Sequence, residues 1–303
     1  MGQGVSTKML QVAARIFSIR PERVKIHSTN TFRISNTSPS AASATSDLNG
    51  KAVEMACHAI WERLKPVAAE LAGCDEDDIS IKEERVRVRG EITEITWNQL
   101  ILTAYNQRVS LSEHAHYATP QIHFDYKTEK GHPFSYHVYG TAVTIVTVDC
   151  IRGTYEIDDV KIVHDFGESM NPVIDLGQVE GGVVQGIGWM TMEEILYDRE
   201  GRLRSNALST YKVPDIYSAP KRLDVHPLKS QKDNMAIFRS KTTGEPPLMY
   251  GIGTFFALRN AVRSFNKEVF PEFSAPFTPE KVLMNLYGCR EDAAPAPPVK
   301  TSS

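Results

Sequence analysis

The sequence has 303 residues, of which 41% are hydrophobic and 23% charged, enough for one large domain or two smaller ones of ordinary globular composition. A net charge of −3 with both signs interspersed leaves no basic face for nucleic acid or an anionic membrane. No apolar run approaches the roughly 18–20 residues that span a bilayer.

The first residues, Met1-Gly2-Gln3-Gly4, lack the basic-then-apolar order of a secretory signal. Gly2 followed by Ser6 loosely fits a myristoylation pattern, but the residues after it read as an amphipathic helix rather than a free arm. Cys57, Cys74, Cys150 and Cys289 are scattered without a C-x-x-C pair. That spacing builds neither a zinc ribbon nor a local iron–sulfur site, and reduced thiols in a cytoplasmic protein are the expectation.

Met9, Leu10, Val12, Ala13, Ile16 and Phe17 recur at helical spacing and predict a helix over Val5–Phe17. Pro21 ends it, and Arg23–Thr29 reads as a strand, with a turn-rich stretch over Asn30–Ser40. Leu48, Ala52, Met55, Ala56, Ala59, Ile60 and Leu64 then mark the inner stripe of a long helix, capped by Ser38 or Ser40 beside Pro39. Residues 72 to 93 suggest a small exposed hairpin around Val86-Arg87-Val88-Arg89. Thr96 caps a short helix carrying Leu100, Ile101, Ala104 and Tyr105.

From Val109 to Gly167 the pattern is mostly β, with strands over His137–Cys150 and Thr154–Phe166 joined at Arg152-Gly153. Asn171-Pro172 starts a helix with Ile174, Val179, Val183, Val184 and Ile187 inside. Met190–Leu196 and Leu223–Pro227 read as further strands. A buried helix follows Pro246-Pro247, carrying Leu248, Ile252, Phe255, Phe256, Leu258, Val262 and Phe265, and Thr278-Pro279-Glu280 opens a short last one. Glu291–Ser303, rich in Ala, Pro and Ser, is expected to be disordered. Helices and strands mix without regular βαβ alternation, so the expected class is α+β.

Four segments carry chemistry. Gly2-Gln3-Gly4 sits at a helix mouth, where free N–H groups favour a ligand acceptor and a side-chain amide both donates and accepts; a plain helix entry is the alternative. The segment from Asn36 to Ser46 gathers small hydroxyl residues at a helix start, where the dipole attracts phosphate; a Ser/Thr-rich turn with an ordinary cap is the alternative. The glycines of Gly177-Gln178 and Gly181-Gly182 through Gly188 do not follow the dinucleotide spacing. At about 1 kcal/mol each in a helix they imply close packing, against a neighbouring backbone or a cofactor. Glu245 is the sole acid from Thr242 to Leu258, and Pro246 and Pro247 fix its backbone. Partial desolvation by Leu248, Met249 and Tyr250 would suit it to act as a base; an acid stabilised near a helix N-terminus is the plainer alternative. His114 and His116 would share a strand face without a third ligand at zinc spacing.

In order, the segments G-Q-G, N-T-S-P-S-A-A-S, S-D-L-N-G, S-L-S, N-P-V-I-D-L-G-Q-V-E-G, S-T-Y-K-V-P and G-E-P-P-L resemble the second half of the molybdenum-cofactor-binding domain of the xanthine dehydrogenase and aldehyde oxidase family. The resemblance runs from Gly2 to about Tyr287. It implies a molybdopterin-binding domain over 1–288, with subdomains over 1–140 and 141–288, and a tail over 289–303.

It also implies chemistry, position by position. In such enzymes a pyranopterin dithiolene holds molybdenum, and the glutamate of G-E-P-P, here Glu245, takes a proton from a metal-bound hydroxyl that attacks an electron-poor carbon of a purine or aldehyde. Gln3 and Ala42 match residues beside the molybdenum, and Ala41 and Ala42 match the substrate pocket. Ser43, Ala44, Thr45 and Ser46 match the pterin cradle, and Gln178 a further pterin contact.

The same resemblance implies partners. These are the preceding half of the molybdenum domain, with its own pterin surface and substrate-orienting residues, and modules carrying 2Fe-2S and FAD; an oligomer, without nucleic acid or membrane, is expected. The resulting expectation is a cytoplasmic molybdenum hydroxylase of purine catabolism, acting on hypoxanthine or xanthine and inactive without those partners. A non-catalytic fragment or packing subunit, and a sister enzyme for aldehydes or other heterocycles, remain open alternatives.

Overall fold

The computed structural model describes residues 2–27, 29–32, 40, 44–228 and 234–288. The chain forms two units that are each discontinuous in sequence: 1–137 with 167–174 and 231–242, and 138–166 with 175–230 and 243–303. Helices and small sheets mix without a barrel or a doubly wound sheet, so the class is α+β.

In the first unit, α1 (Val5–Ile16) buries Met9 and Val12, as its periodicity predicts. It packs against α2 (Ala44–Ala72), a 29-residue helix. The buried residues of α2 are Gly50, Cys57, Leu64, Val67, Ala68 and Ala69. The expected stripe is therefore only partly right: Leu64 is fully buried, but Leu48 and Met55 are 37% and 46% exposed. Asn30–Ser40 and the cap residue Ser38 lie largely outside the described residues.

Residues 79–96 correct the expectation of an exposed hairpin. They form an antiparallel sheet of β1 (Ile79–Lys82), β2 (Arg85–Val88) and β3 (Glu91–Thr96). Ile79 and Val86 are buried in a core with Leu64, Val67 and Ala68 of α2 and with Leu100 and Ala104 of α3 (Trp97–Asn106). Thr96 caps α3 as expected: its hydroxyl accepts from the Gln99 N–H while the Gln99 side chain accepts from the Thr96 N–H, a complete capping box.

Among the described residues of Arg23–Thr29 there is no strand. Val24 has extended angles but follows a single 3₁₀ turn at Pro21–Arg23, and Ile26 is 47% exposed. β-branched residues give extended backbone; a strand also needs a partner ladder, and none pairs here. The expected β region starts late, because residues 109–122 hold no strand. His114 and His116 therefore share no strand face. A short hairpin of β4 (His123–Asp125) and β5 (Lys130–His132) follows.

The second unit is built on β6 (Gly140–Val148) and β7 (Tyr155–His164), an antiparallel pair, with β8 (Arg222–Pro227) parallel to β7. Gly153, at φ 71, makes the turn that Arg152-Gly153 foretold. α4 (Pro172–Thr191) covers this sheet through Val179, Val183 and Ile187, which join Ile157, Val160 and Ile162 in one core. α4 runs to Thr191, so the strand expected over Met190–Leu196 is instead the last turn of a helix and an irregular segment. An apolar run of that length fits either structure, and the tertiary setting decides between them.

A second core joins Met190 of α4 and Phe255, Leu258 and Val262 of α5 (Ile252–Phe265) with Phe277, Val282 and Leu286. Phe256 and Phe265, expected inside, are 44% and 52% exposed. α6 (Pro279–Leu286) is capped by Thr278, whose hydroxyl accepts from Lys281 N–H. Among the described residues no helix is long and apolar enough to cross a membrane.

Candidate functional site

The residues singled out fall into two sets, one in each unit. In the first unit, Gly4 takes φ 78 at the start of α1, and a Cβ there would run into the Ile174 side chain. Its missing side chain thus lets the chain turn sharply into the helix and present Gln3. Gln3 Nε2 reaches Ser40 Oγ at 3.5 Å, and Ser40 Oγ lies 2.9 Å from Thr45 Oγ1. The amide of the first segment and the hydroxyls of the second therefore form one relay at the mouths of α1 and α2. Ser40, one of the two proposed caps, exchanges its hydrogen bond with a side chain of the first turn. Ala44, Thr45 and Ser46 open α2, with Ala44 exposed and the other two partly so. Ala41, Ala42 and Ser43 lie outside the described residues.

One group in this set has no local sequence signal. Asp47, in the first turn of α2, accepts a 2.6 Å hydrogen bond from the phenol of Tyr136, 89 residues later. Burial pushes its carboxyl up to about 6, against the opposing effects of the Tyr136 hydrogen bond and the nearby Lys8 charge. The Tyr136 phenol is itself pushed up, by burial first and by Asp47 second. The only sequence clue was the S-D-L-N-G string, which says nothing about a distant tyrosine.

In the second unit, the glycines of α4 separate into two groups. A Cβ on Gly182 would crowd Pro247 Cβ, and one on Gly186 would overlap the Leu248 carbonyl. A Cβ on Gly251 would in turn meet the Gly186 backbone. These glycines let a helix and the 3₁₀ turn Pro246–Gly251 touch backbone to backbone. Gly188 is filled by Pro214 and Glu193, and Tyr211 donates to Glu193 Oε2 at 2.5 Å, so S-T-Y-K-V-P packs on the end of α4. Gly177 and Gly181 differ, because open space stands where their Cβ would be. Gln178 lies beside them, half-buried. Of the two readings offered by sequence, a neighbouring backbone thus accounts for Gly182 and Gly186, and nothing among the described residues accounts for Gly177 and Gly181.

Glu245 precedes the clamped turn. Its carbonyl accepts from Leu248 N–H, and its side chain makes no capping bond to the turn. Two residues on, Pro247 packs on Gly182; five on, the Tyr250 phenol sits 2.8 Å from His164 Nδ1, and only a glycine at 140 leaves room for it. The backbone carrying Glu245 is therefore held at several points. The side chain is exposed, and Met249 beside it is 55% exposed. The expectation that Leu248, Met249 and Tyr250 partly enclose Glu245 is not met, since the residue is exposed.

Both sets suit a ligand with a polar heterocyclic edge and a phosphate. The first offers neutral donors and acceptors beside a helix start whose first N–H groups lack helical partners. The second offers one amide on a surface free of side-chain bulk. Among the described residues no cluster of three or more His, Cys, Asp or Glu is placed to hold a metal ion. A metal carried on its own organic ligand is compatible with that donor set.

The family described as molybdopterin cofactor-binding domain matches residues 1–220. The chain is 39% identical over 290 residues to xanthine dehydrogenase/oxidase of Mus musculus, covering 93% of this chain and 20% of that protein. It is 37% identical over 296 residues to xanthine dehydrogenase of Oryza sativa subsp. japonica, covering 94% and 20%. The chain thus spans about a fifth of the length of the curated relatives it matches. Among solved structures it is similar to quinoline 2-oxidoreductase of Pseudomonas putida 86, with a TM-score of 0.79 and 23% identity over 94% of this chain and 35% of that one. It is also similar to aldehyde oxidoreductase of Desulfovibrio gigas, with a TM-score of 0.72 and 25% identity over 94% and 28%. The motifs, the fold and the match over 1–220 agree: the chain belongs to the molybdopterin cofactor-binding domain family.

Proposed function

We propose that this chain is the part of a xanthine dehydrogenase-like molybdenum hydroxylase that holds one portion of molybdopterin and supplies the general base, Glu245. The observation that carries this reading is the clamped turn. Gly182, Gly186, Gly251 and Tyr250 fix the backbone that bears an exposed carboxylate, and a base needs its position set before its environment is completed. When bound, the cofactor supplies the redox chemistry of hydroxylation. Gln3, with Ala42 near the metal, and Ser43 to Ser46 are the residues we assign to the pterin, together with Gln178. Ala41 and Ala42 are assigned to the substrate pocket, and Glu245 accepts a proton at a carboxylate oxygen as substrate reacts.

The substrate we infer is a purine such as xanthine or hypoxanthine, which places the enzyme in purine catabolism in the cytoplasm. The relatives at 37–39% identity are named for xanthine. An aldehyde is the second reading, favoured by the likeness to aldehyde oxidoreductase at 25% identity. The partners are the remainder of the molybdenum domain and modules bearing 2Fe-2S and FAD, in an oligomer. The second unit offers apolar surface for such partners: Leu208, Ile216 and Tyr217 are 81%, 81% and 92% exposed.

The test is molybdenum and pterin content, with xanthine and aldehyde hydroxylation, for the chain with and without the remainder of a xanthine dehydrogenase. Little metal alone, and stoichiometric metal with turnover of xanthine over aldehyde in the complex, is expected. Stoichiometric metal in the chain alone would contradict a shared cofactor site. A stable complex without cofactor would favour a non-catalytic packing subunit.

A further inference from the structure

The ends of α1 and α2 in the first unit are joined twice. The exposed tier is the relay from Gln3 through Ser40 to Thr45. The part-buried tier is Asp47, two residues beyond Thr45. It accepts from Tyr136 at 2.6 Å and is acted on by the charge of Lys8, a buried residue whose N–H bonds to the Gly4 carbonyl. A carboxylate is an unfavourable choice for simple packing at such a place. Burial opposes its ionised form, and an apolar side chain would join the two helices at least as stably. What a carboxylate adds is direction, since a short hydrogen bond to a fixed phenol sets the rotation of the first turn of α2 in a way that apolar contact does not.

We propose that Asp47, held by Tyr136, is a positioning residue that sets the first turn of α2 against the start of α1, so that Thr45 and Gln3 present hydroxyl and amide together to molybdopterin. This rests on the cofactor reading above. Asp47 acts through Thr45 and the α2 backbone, and touching the ligand is not part of its role.

The experiment uses the holoenzyme containing this chain, with Tyr136→Phe, Asp47→Asn and Asp47→Ala, and Val86→Ala as a control in the core that β1–β3 share with α3 and the far end of α2, from Leu64 to Ala69. Cofactor release into buffer is followed by pterin fluorescence and by residual molybdenum, beside thermal unfolding. Tyr136→Phe is expected to release cofactor about tenfold faster than wild type, the order that loss of a hydrogen bond to a charged group allows. Asp47→Asn, whose amide oxygen still accepts from the phenol, should be milder, and Asp47→Ala the most severe. Val86→Ala should lower thermal stability without speeding release.

Unchanged release in Tyr136→Phe, or equal acceleration by Val86→Ala, would overturn the assignment. If Asp47→Ala does not fold, Tyr136→Phe alone decides. A wild-type holoenzyme without pterin would defeat the underlying cofactor reading, a failure separate from wild-type retention with no effect of the variants.

Discussion

The helices α2 and α4 both carry ligand-type motifs, yet they prepare for a ligand in different ways. α2 concentrates its polar small residues at one end, where Thr45 joins a side-chain relay and Asp47 is tied to Tyr136. α4 distributes glycines along its length. Gly182 and Gly186 admit the turn that follows Glu245, whereas Gly177 and Gly181 leave an open strip beside Gln178. A helix end offers direction and unpaired N–H groups; a glycine face offers proximity. The difference shows that glycine richness alone does not identify a ligand surface, because the same helix uses glycine for close packing at one place and leaves it bare at another.

The sharpest way to break this comparison is Gly186→Ala. Its Cβ would stand 2.0 Å from the Leu248 oxygen, and because both partners are backbone, relaxation would have to move the turn. We expect a loss of more than about 3 kcal/mol, at the upper end of what overpacking costs, read as a large drop in the denaturant midpoint. A near-neutral result would mean that the clamp on the Glu245 turn is not tight.

At α2 the expected effect is on pH dependence. The Asp47 carboxyl is raised from 3.8 to about 6 on folding, so the folded state binds more protons between those values. Its stabilising contribution is full below about pH 4, falls as pH rises through 6, and is flat above. Two units correspond to at most about 3 kcal/mol. Unfolding measured from pH 4 to 7 should lose this slope in Asp47→Asn. Persistence of the same slope would assign it to another group.

The smallest effect sharpens the contrast within α4. Gly177→Ala and Gly181→Ala meet no neighbour and should each raise stability of the chain by about 1 kcal/mol through helix propensity. In the holoenzyme the same changes should weaken cofactor retention if that strip is covered by ligand. Destabilisation of the chain itself by either alanine would show that the strip packs on protein.

Much of this was legible in the sequence where a local rule governs it. Thr96 with Gln99 and Thr278 with Pro279 mark helix starts that depend on neighbours three residues apart, and Arg152-Gly153 marks a turn of the same reach. Val24 and Ile26 misled because β-branched residues fix the backbone of one strand but cannot reveal whether another lies alongside. Ile79 and Val86 misled for the converse reason: a charged, alternating segment looks exposed until the face of α2 that covers it is known. Of the candidate site, the motif order exposed Gln3, Thr45, Gln178 and Glu245. It did not expose the link from Asp47 to Tyr136, which depends on chain folding over 89 residues, nor the exposure of Glu245, which depends on what covers the turn.

The central claim is that the clamped turn aims a base. Its most direct test is Glu245→Gln in the reconstituted complex, with cofactor content and turnover measured on the same sample. The substitution keeps shape and removes proton acceptance, so cofactor should stay at the wild-type level while turnover falls roughly 10²–10⁴-fold, the usual contribution of a general base. Turnover close to wild type with cofactor fully bound would contradict the claim.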